Sequence, residues 1–240
     1  MSQLPALNKL SVRDADLNDD ALRSISTITP LESLYLNDNP KLTDDGYFFL
    51  TKLPNLRALA FEHAKVTPRL IKIISQLPLE RLWIGDMDLT NSELKQISTL
   101  RYLQDLHLEQ CKNVSPSGLK YLVKMPSLGS LDLREMAQLK DQDTSLFLDC
   151  PNSIHLSLQG TNIGDEGMKS IAQSKVHFLD ISNSKVSDRG LMMLASAKKL
   201  NSIRATAGSL ITERGITEFK KIRPDINIKK ESEPASMLEL

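Results

Sequence analysis

The sequence predicts an α/β solenoid, a right-handed coil of short tandem repeats with a parallel β-sheet on its concave face and short helices on its convex face. Three observations predict this fold. The pattern LxxLxL returns about nine times at nearly constant spacing. Each return is followed by apolar residues with helical spacing. Neither half can bury its apolar side alone, so successive units must stack into one continuous core.

The strand half of each repeat is clearest in LNKLSV, which starts at Leu7, and in LESLYL, which starts at Leu31. Later repeats start at residues 56, 79, 103, 128, 153, 176 and 200, so successive starts are 23 to 25 residues apart. Alternate residues of a strand point to opposite sides. Each repeat therefore places its leucines in the core and the residues between them on a shared exposed face.

The helical half begins with a hydroxyl residue that can cap the first free N–H groups of a helix. Such residues are found at Thr43, Ser115, Ser187 and Thr212. Thr90 and Glu93 have the spacing of a capping box. A glycine follows several caps and is expected to let the first helical turn approach the neighbouring coil closely.

These segments resemble the leucine-rich-repeat proteins over residues 4 to 228. TDDGYFFL, SPSGLKYL and SDRGLMML are most similar to the subclass with a TDxGL helix start, which includes the cysteine-containing repeats of ubiquitin-ligase substrate receptors and related bacterial proteins. The resemblance implies a horseshoe with a binding surface on its concave face. The position that this subclass often fills with Cys or Asn varies here, so no uniform side-chain ladder is expected.

The repeat domain is predicted to cover residues 1–228, with a closing strand at 226–228 and a disordered tail at 229–240. Leu4-Pro5-Ala6-Leu7 matches the segment ending at Leu56, so the chain is expected to begin within a preceding unit. It is therefore predicted to be part of a larger chain or complex.

Charge and composition exclude several kinds of partner. The 30 Lys and Arg residues balance the 30 Asp and Glu residues, so neither nucleic acid nor a membrane is expected to bind. There is no signal peptide or apolar run of about 18 residues, which predicts a cytoplasmic protein. Cys111 and Cys150 are too few for a disulfide framework and are expected in the core.

The side chains that could support catalysis are wrongly arranged. His107, Asp132 and Ser157 are the residue types of a nucleophilic triad, but the aspartate lies in the middle and the serine is roughly 10 Å from the histidine by strand spacing. A solvated polar row is expected instead. His155 and His177 lie one pleat apart and should point differently. The sequence predicts no enzyme, no metal and no cofactor.

The candidate binding site is centred on Trp83, which the register places on the concave face. Ala58, Ala60 and Gly85 are expected to leave a recess beside the indole with charged walls, a composition typical of interaction hot spots. The residues predicted to bind a partner are Tyr35, Arg57, Glu62, Arg81, Trp83, Asp105, His107, Glu109, Asp132 and Arg134. Cross-strand ion pairs are expected between Arg81 and Asp105 and between Glu109 and Arg134.

The predicted function is a non-catalytic scaffold that binds a protein partner on its concave face. The alternative is a targeting or substrate-recognition module of a larger enzyme or ubiquitin-ligase-like assembly. The first expectation includes a specific result, that Trp83→Ala weakens binding and leaves thermal stability nearly unchanged.

Overall fold

The computed structural model describes residues 7–205 and 210–230. The predicted start within a preceding unit, and most of the predicted tail, lie outside these residues. The chain forms two compact units, Met1–Leu128 and Gly129–Leu240. Each unit stacks short coils in which a β-strand is followed by a helical segment. The predicted fold class, an α/β solenoid with a parallel sheet, is confirmed.

In the first unit, five strands pair in parallel and in chain order. They are β1 Lys9–Ser11, β2 Ser33–Tyr35, β3 Ala58–Ala60, β4 Arg81–Trp83 and β5 Asp105–His107. The helices that follow them are α1 Asp19–Ile25, α2 Asp44–Phe48, α3 Pro68–Ile74, α4 Asn91–Ile97 and α5 Pro116–Leu122. A 3₁₀ turn, Phe49–Lys52, extends α2.

The second unit has the same arrangement, and its strands also pair in parallel in chain order. They are β6 Ser130–Asp132, β7 Ile154–Ser157, β8 Val176–Asp180, β9 Ser202–Arg204 and β10 Asn227–Lys229. Its helices are α6 Met168–Gln173, α7 Asp188–Met193 and α8 Glu213–Ile222. The 3₁₀ segments are Asp141–Asp149, Asp165–Gly167 and Leu194–Ser196.

The core consists of the leucines that define the repeat. The central residue of each strand from β2 to β5 is a leucine with no exposed surface: Leu34, Leu59, Leu82 and Leu106. Full burial of one such side chain contributes about 1.5–3 kcal/mol to stability. No helix in the described part of the chain has the length and apolar character needed to cross a membrane.

Both cysteines are buried core residues, as predicted. The Cys111 Sγ lies 3.5 Å from the carbonyl oxygen of Ile84 in the preceding repeat. Burial raises the pKa of Cys111 to about 12 and that of Cys150 to about 11. Both side chains are therefore thiols at neutral pH and serve as small apolar residues.

Several successive repeats are tied together by an aspartate that begins a helical segment. The Asp165 carboxylate accepts hydrogen bonds from the backbone N–H and the hydroxyl of Ser187, the cap of the next helix, each at 2.8 Å. Asp188 does the same for Thr212 at 2.7 Å, and Asp19 accepts from both groups of Thr43. Each aspartate thus satisfies donors that the next helix leaves unpaired.

The glycine that follows several caps makes room for this carboxylate, which refines the predicted close approach. A Cβ added to Gly215 would lie 2.0 Å from Asp188 Oδ1, and one added to Gly46 would lie 2.2 Å from Asp19 Oδ1. The TDxG pattern therefore connects neighbouring repeats. Its aspartate reaches the next repeat, and its glycine receives the aspartate of the previous one.

Proline interrupts this chain of contacts at two places. Pro68 and Pro116 occupy the first helical position, where the other repeats have aspartate, asparagine or, at Glu213, glutamate. The following repeats cap themselves instead. Thr90 and Glu93 form the predicted capping box, and the Asp143 carboxylate accepts from the backbone N–H of Lys140 at 2.8 Å.

The predicted side-chain cap at Ser115 is wrong. Its hydroxyl accepts no hydrogen bond from a backbone N–H of α5, although it lies 2.8 Å from the Ser117 hydroxyl. It accepts a hydrogen bond from Asn91 Nδ2 at 2.8 Å, while the Ser115 backbone N–H donates to Asn91 Oδ1 at 3.0 Å. The Ser115 hydroxyl therefore bonds to the neighbouring repeat, although the sequence predicts that it caps its own helix.

One position in each of the first eight repeats adopts a left-handed backbone conformation shortly after the strand. These residues are Asp14, Asp38, His63, Asp86, Gln110, Glu135, Gly160 and Asn183, with φ between 48° and 67°. Only one of them is glycine. Several are Asp or Asn, which tolerate this region better than other residues with a side chain. The turn directs the following side chain inward, as at the buried Asn39, Cys111, Thr161 and Ser184.

Because Asp188 contacts Gly215, the effect of Gly215→Ala on the free energy of unfolding should change sign when Asp188 is removed. A double-mutant cycle can detect this change. In the wild-type background Gly215→Ala should destabilise the protein, because the new Cβ meets the Asp188 carboxylate. In an Asp188→Ala background the same change should stabilise it by about 0.5–1 kcal/mol, the helix preference of alanine over glycine. Urea unfolding of the four variants measures both effects. An equal cost of Gly215→Ala in both backgrounds would contradict the contact.

Candidate functional site

The candidate site lies on the side of β1–β5 that points away from the helices, which we call the sheet face. Its residues occupy three rows across the strands. The first row is Lys9, Ser33, Ala58, Arg81 and Asp105; the second is Ser11, Tyr35, Ala60, Trp83 and His107. The third row, after the strand ends, is Arg13, Asn37, Glu62, Gly85 and Glu109.

Three rings form an aromatic row across the middle of the sheet face. The Trp83 ring stacks on His107 with centroids 5.1 Å apart and an interplanar angle of 23°. On its other side the Trp83 ring meets Tyr35 at 5.8 Å, tilted by 44°. The Lys9 ammonium lies over the Tyr35 ring at 5.4 Å. Trp83 and Tyr35 remain partly exposed, so the row presents aromatic surface to solvent.

The predicted recess beside Trp83 is absent, and its small neighbours explain why. Ala60 lies in register between Tyr35 and Trp83. Because its methyl group is short, the two large rings lean across it and make contact. Gly85 is covered as well, since a Cβ there would lie 2.5 Å from Glu109 Cγ. The small residues therefore allow their larger neighbours to join into a continuous surface.

The expectation of a solvated polar row is also wrong at His107, which is only 6% exposed. Its Nε2 lies 3.1 Å from Asp105 Oδ1 on the same strand. The predicted ion pair between Arg81 and Asp105 does not form, although the two residues are in register. Asp105 is directed to the histidine instead, and Arg81 extends into solvent.

Carboxylates collect at the end of the sheet face where the strands finish. Asn37 Nδ2 donates to Glu62 Oε2 at 2.8 Å, and the Arg13 guanidinium lies 3.7 Å from the same oxygen. Burial and, after it, the Glu109 carboxylate raise the pKa of Glu62, while Arg13 opposes them. Glu62 and Glu109, which we call the carboxylate pair, thus place negative charge on either side of Gly85.

Beyond this pair, His63 joins three successive left-handed turns. Its Nδ1 lies 2.6 Å from Asp38 Oδ1 and its Nε2 lies 3.0 Å from Asp86 Oδ2. This arrangement was not predicted from the sequence. A signal was present, because the three residues occupy one position of successive repeats and adjacent repeats are about 4.8 Å apart.

Arg57, another predicted binding residue, is held at the opposite end of the sheet. Its Nη1 donates to the carbonyl oxygens of Pro54 and Leu56 at 3.0 and 3.2 Å. Its Nε lies 3.8 Å from the Glu80 carboxylate. These bonds hold the guanidinium against nearby backbone, so the Arg57 side chain is less available to a partner than that of Arg81.

Asp132 and Arg134, the remaining predicted residues, belong to the second unit. Asp132 is 2% exposed and accepts hydrogen bonds from the backbone N–H and Nε of Arg134 at 3.0 and 2.7 Å. Asp180 similarly accepts from the N–H and hydroxyl of Ser182. Burial raises the pKa of Asp180, and these hydrogen bonds oppose the shift. Both aspartates finish a strand by closing a local turn.

His155 and His177 do not diverge as predicted. A β-bulge pairs Ile154 with Val176 but His155 with Phe178, leaving His177 as the additional residue. The bulge brings the two imidazole centroids to 6.0 Å. Nevertheless, no three His, Cys, Asp or Glu side chains within residues 7–205 and 210–230 form a group that could hold a metal ion.

Comparisons with known proteins agree with this geometry. Residues 154–172 and 173–195 match the family model described as Leucine Rich repeat. An internalin from Listeria monocytogenes superposes with a TM-score of 0.50 and 23% identity, over 84% of this chain and 55% of the internalin chain. Two repeats of this chain therefore have the sequence pattern of a leucine-rich repeat, and the chain has the solenoid fold of the internalin.

A second solved structure has the same fold. It is the yeast Rad7 and Elc1 complex, matched with a TM-score of 0.50 and 17% identity over 93% of this chain and 74% of the matched chain. This chain thus spans about half of the matched internalin and three quarters of the matched yeast chain. At these identities the likeness establishes the fold alone.

The aromatic row has a spectroscopic consequence, because Trp83 is the only tryptophan. Tyr35→Ala should expose one side of the indole, shift its emission to longer wavelength and increase quenching by acrylamide. Tyr102→Ala is the matched control, since Tyr102 is 63% exposed and has no position on the sheet face. Identical emission in wild type and Tyr35→Ala would show that the two rings do not meet.

Proposed function

We propose that the protein is a non-catalytic binding scaffold and that it recognises a protein partner through the sheet face of its first unit. The observation that carries this proposal is the aromatic row. Tyr35, Trp83 and His107 form a partly exposed surface whose rings are already held by one another. Aromatic side chains are enriched at the centres of protein interfaces.

Pre-organisation supports the same proposal. Binding costs free energy when interface side chains lose conformational freedom, about 0.5–1.5 kcal/mol for each flexible side chain. Trp83 is already fixed between two rings, so a partner would order little of the surface that it covers. The polar neighbours Asp105 and Glu62 are likewise held by His107 and Asn37.

The expectation that Trp83→Ala leaves stability nearly unchanged needs revision. The indole makes two ring contacts, and aromatic pairs of this kind contribute about 0.5–1.5 kcal/mol beyond their buried area. We therefore expect Trp83→Ala to lower the free energy of unfolding by roughly 1–3 kcal/mol. Binding experiments must be carried out well below the melting temperature of this variant.

The test is affinity capture from a native lysate with wild type, the double variant Trp83→Ala/Arg81→Ala, and the control Tyr121→Ala. Tyr121 is exposed on helix α5, away from the sheet face. Wild type and control should retain the same partner, and the double variant should lose it. Equal capture by all three folded proteins would contradict binding on the sheet face.

A second candidate is a targeting or substrate-recognition module within a larger enzyme or ubiquitin-ligase-like assembly. The match to a complex of Rad7 with Elc1 favours it, because a protein of the same fold is found there with a second protein. In that case the captured material should contain a stable multi-subunit assembly with an enzymatic component. A single non-enzymatic partner would favour the simple scaffold.

A further inference from the structure

The sheet face changes chemical character along the direction of its strands. The outward positions of β4 and its extension are Arg81, Trp83 and Gly85, and each lies in a different row. The first is a cation and the second is aromatic. The third is a glycine covered by the side chain of Glu109. A partner that lies along β4 would therefore meet positive charge, an apolar surface and negative charge in turn.

Arg81 is the cation available at one end. It is exposed, and it forms no ion pair or side-chain hydrogen bond with any residue in 7–205 or 210–230. Its register neighbours explain this. On β3 it faces the buried Ala58, and on β5 it faces Asp105, which is directed to His107. The guanidinium can bind an external carboxylate without breaking an internal contact.

The other end is acidic. The carboxylate pair, Glu62 and Glu109, flanks Gly85, and the repulsion between them contributes to the raised pKa of Glu62. Arg13 lies 3.7 Å from Glu62 but is shared with Asp38, from which its Nε is 3.8 Å. Asp38 and Asp86 add further negative charge beyond the pair, with His63 between them. A cation from a partner would lie close to these carboxylates at this end of the sheet face.

The spacing of these three features matches an extended polypeptide. Residues 81, 83 and 85 are two residues apart, and alternate side chains of any extended chain recur on one side about every 6.6 Å. An extended partner segment running along β4 would place residues i, i+2 and i+4 opposite the same three positions. Its side chains must then complement a cation, an aromatic surface and an acidic group.

We propose that the partner presents an extended segment in which an acidic, an apolar and a basic side chain alternate with unrelated residues, seated over Arg81, Trp83 and the carboxylate pair respectively. This inference rests on the proposed function of the same face and specifies its ligand. Complementary charges at the two ends fix the position of the segment along the strand, and the aromatic row supplies the apolar contact.

The test uses a phage-displayed library of random seven-residue peptides, selected on the immobilised full chain. Peptides enriched by wild type should carry an acidic and a basic residue four positions apart with an apolar residue midway. The fluorescence of Trp83 then reports the affinity of a synthetic peptide of the enriched sequence. Arg81→Glu should weaken this affinity about tenfold, the order expected when an interfacial charge pair changes from attraction to repulsion.

A charge exchange makes the result specific. When the acidic residue of the peptide is replaced by lysine, Arg81→Glu should bind it better than wild type does. Glu62→Gln should weaken the original peptide but not a peptide whose basic residue is replaced by glutamine. Arg81 makes no side-chain hydrogen bond or ion pair among the described residues, so its variant is expected to fold, and its melting temperature verifies this.

Failure of this inference can be distinguished from failure of the proposed function. Enriched peptides without the charge pattern, no enrichment, or equal binding of the original peptide to wild type and Arg81→Glu would each overturn the proposed ligand chemistry. The sheet face would still stand as the binding surface if the double variant loses its partner in native capture. Retention of that partner would overturn both.

Discussion

Several neighbouring coils are held together by hydrogen bonds that pass from the start of one helix to the start of the next. In Asp19, Asp165 and Asp188 a single carboxylate satisfies both the backbone N–H and the hydroxyl of the following cap. Because the acceptor and the donors belong to different repeats, each bond fixes the distance between neighbouring coils as well as capping a helix. Such charge-assisted bonds are stronger than neutral ones.

This spacing determines how side chains are aligned on the opposite side of each coil. Once the coils stack in register, the side chains between the leucines are aligned in rows, and their sizes decide which of them meet. Tyr35 and Trp83 make contact because Ala60 lies between them, and Glu109 reaches over Gly85 for the same reason. Small residues therefore shape this surface because larger neighbouring side chains can extend over them. As a result, the aromatic row and the carboxylate pair form an uninterrupted surface.

Much of the fold was predictable because periodicity dominates it. The positions of the strands, the buried leucines, the capping box at Thr90 and the role of the glycines all follow from residues that recur with the repeat. The left-handed turns were equally accessible, since Asp14, Asp38 and Asp86 recur at one position and aspartate tolerates that conformation. The predicted residues of the first unit do share one sheet, as their register requires.

The local contacts could not be predicted, because they depend on side-chain conformations and not on spacing. Asp105 had two candidate partners, Arg81 across the strand and His107 two residues away, and only the structure decides between them. The burial of Asp132 depends on the turn that it closes with Arg134. The bulge at His177 breaks the alternation on which the sequence argument relied.

Hydrogen exchange of wild type and Asp165→Ala tests most directly whether helix starts hold neighbouring repeats together. The Asp165 carboxylate accepts from the backbone N–H groups of Ser187 and Gly190 at 2.8 and 3.0 Å, both in the next repeat. The variant should therefore lose protection at these two amides and keep it at Ile171 in its own helix. Unchanged exchange at Ser187 and Gly190 would contradict the account.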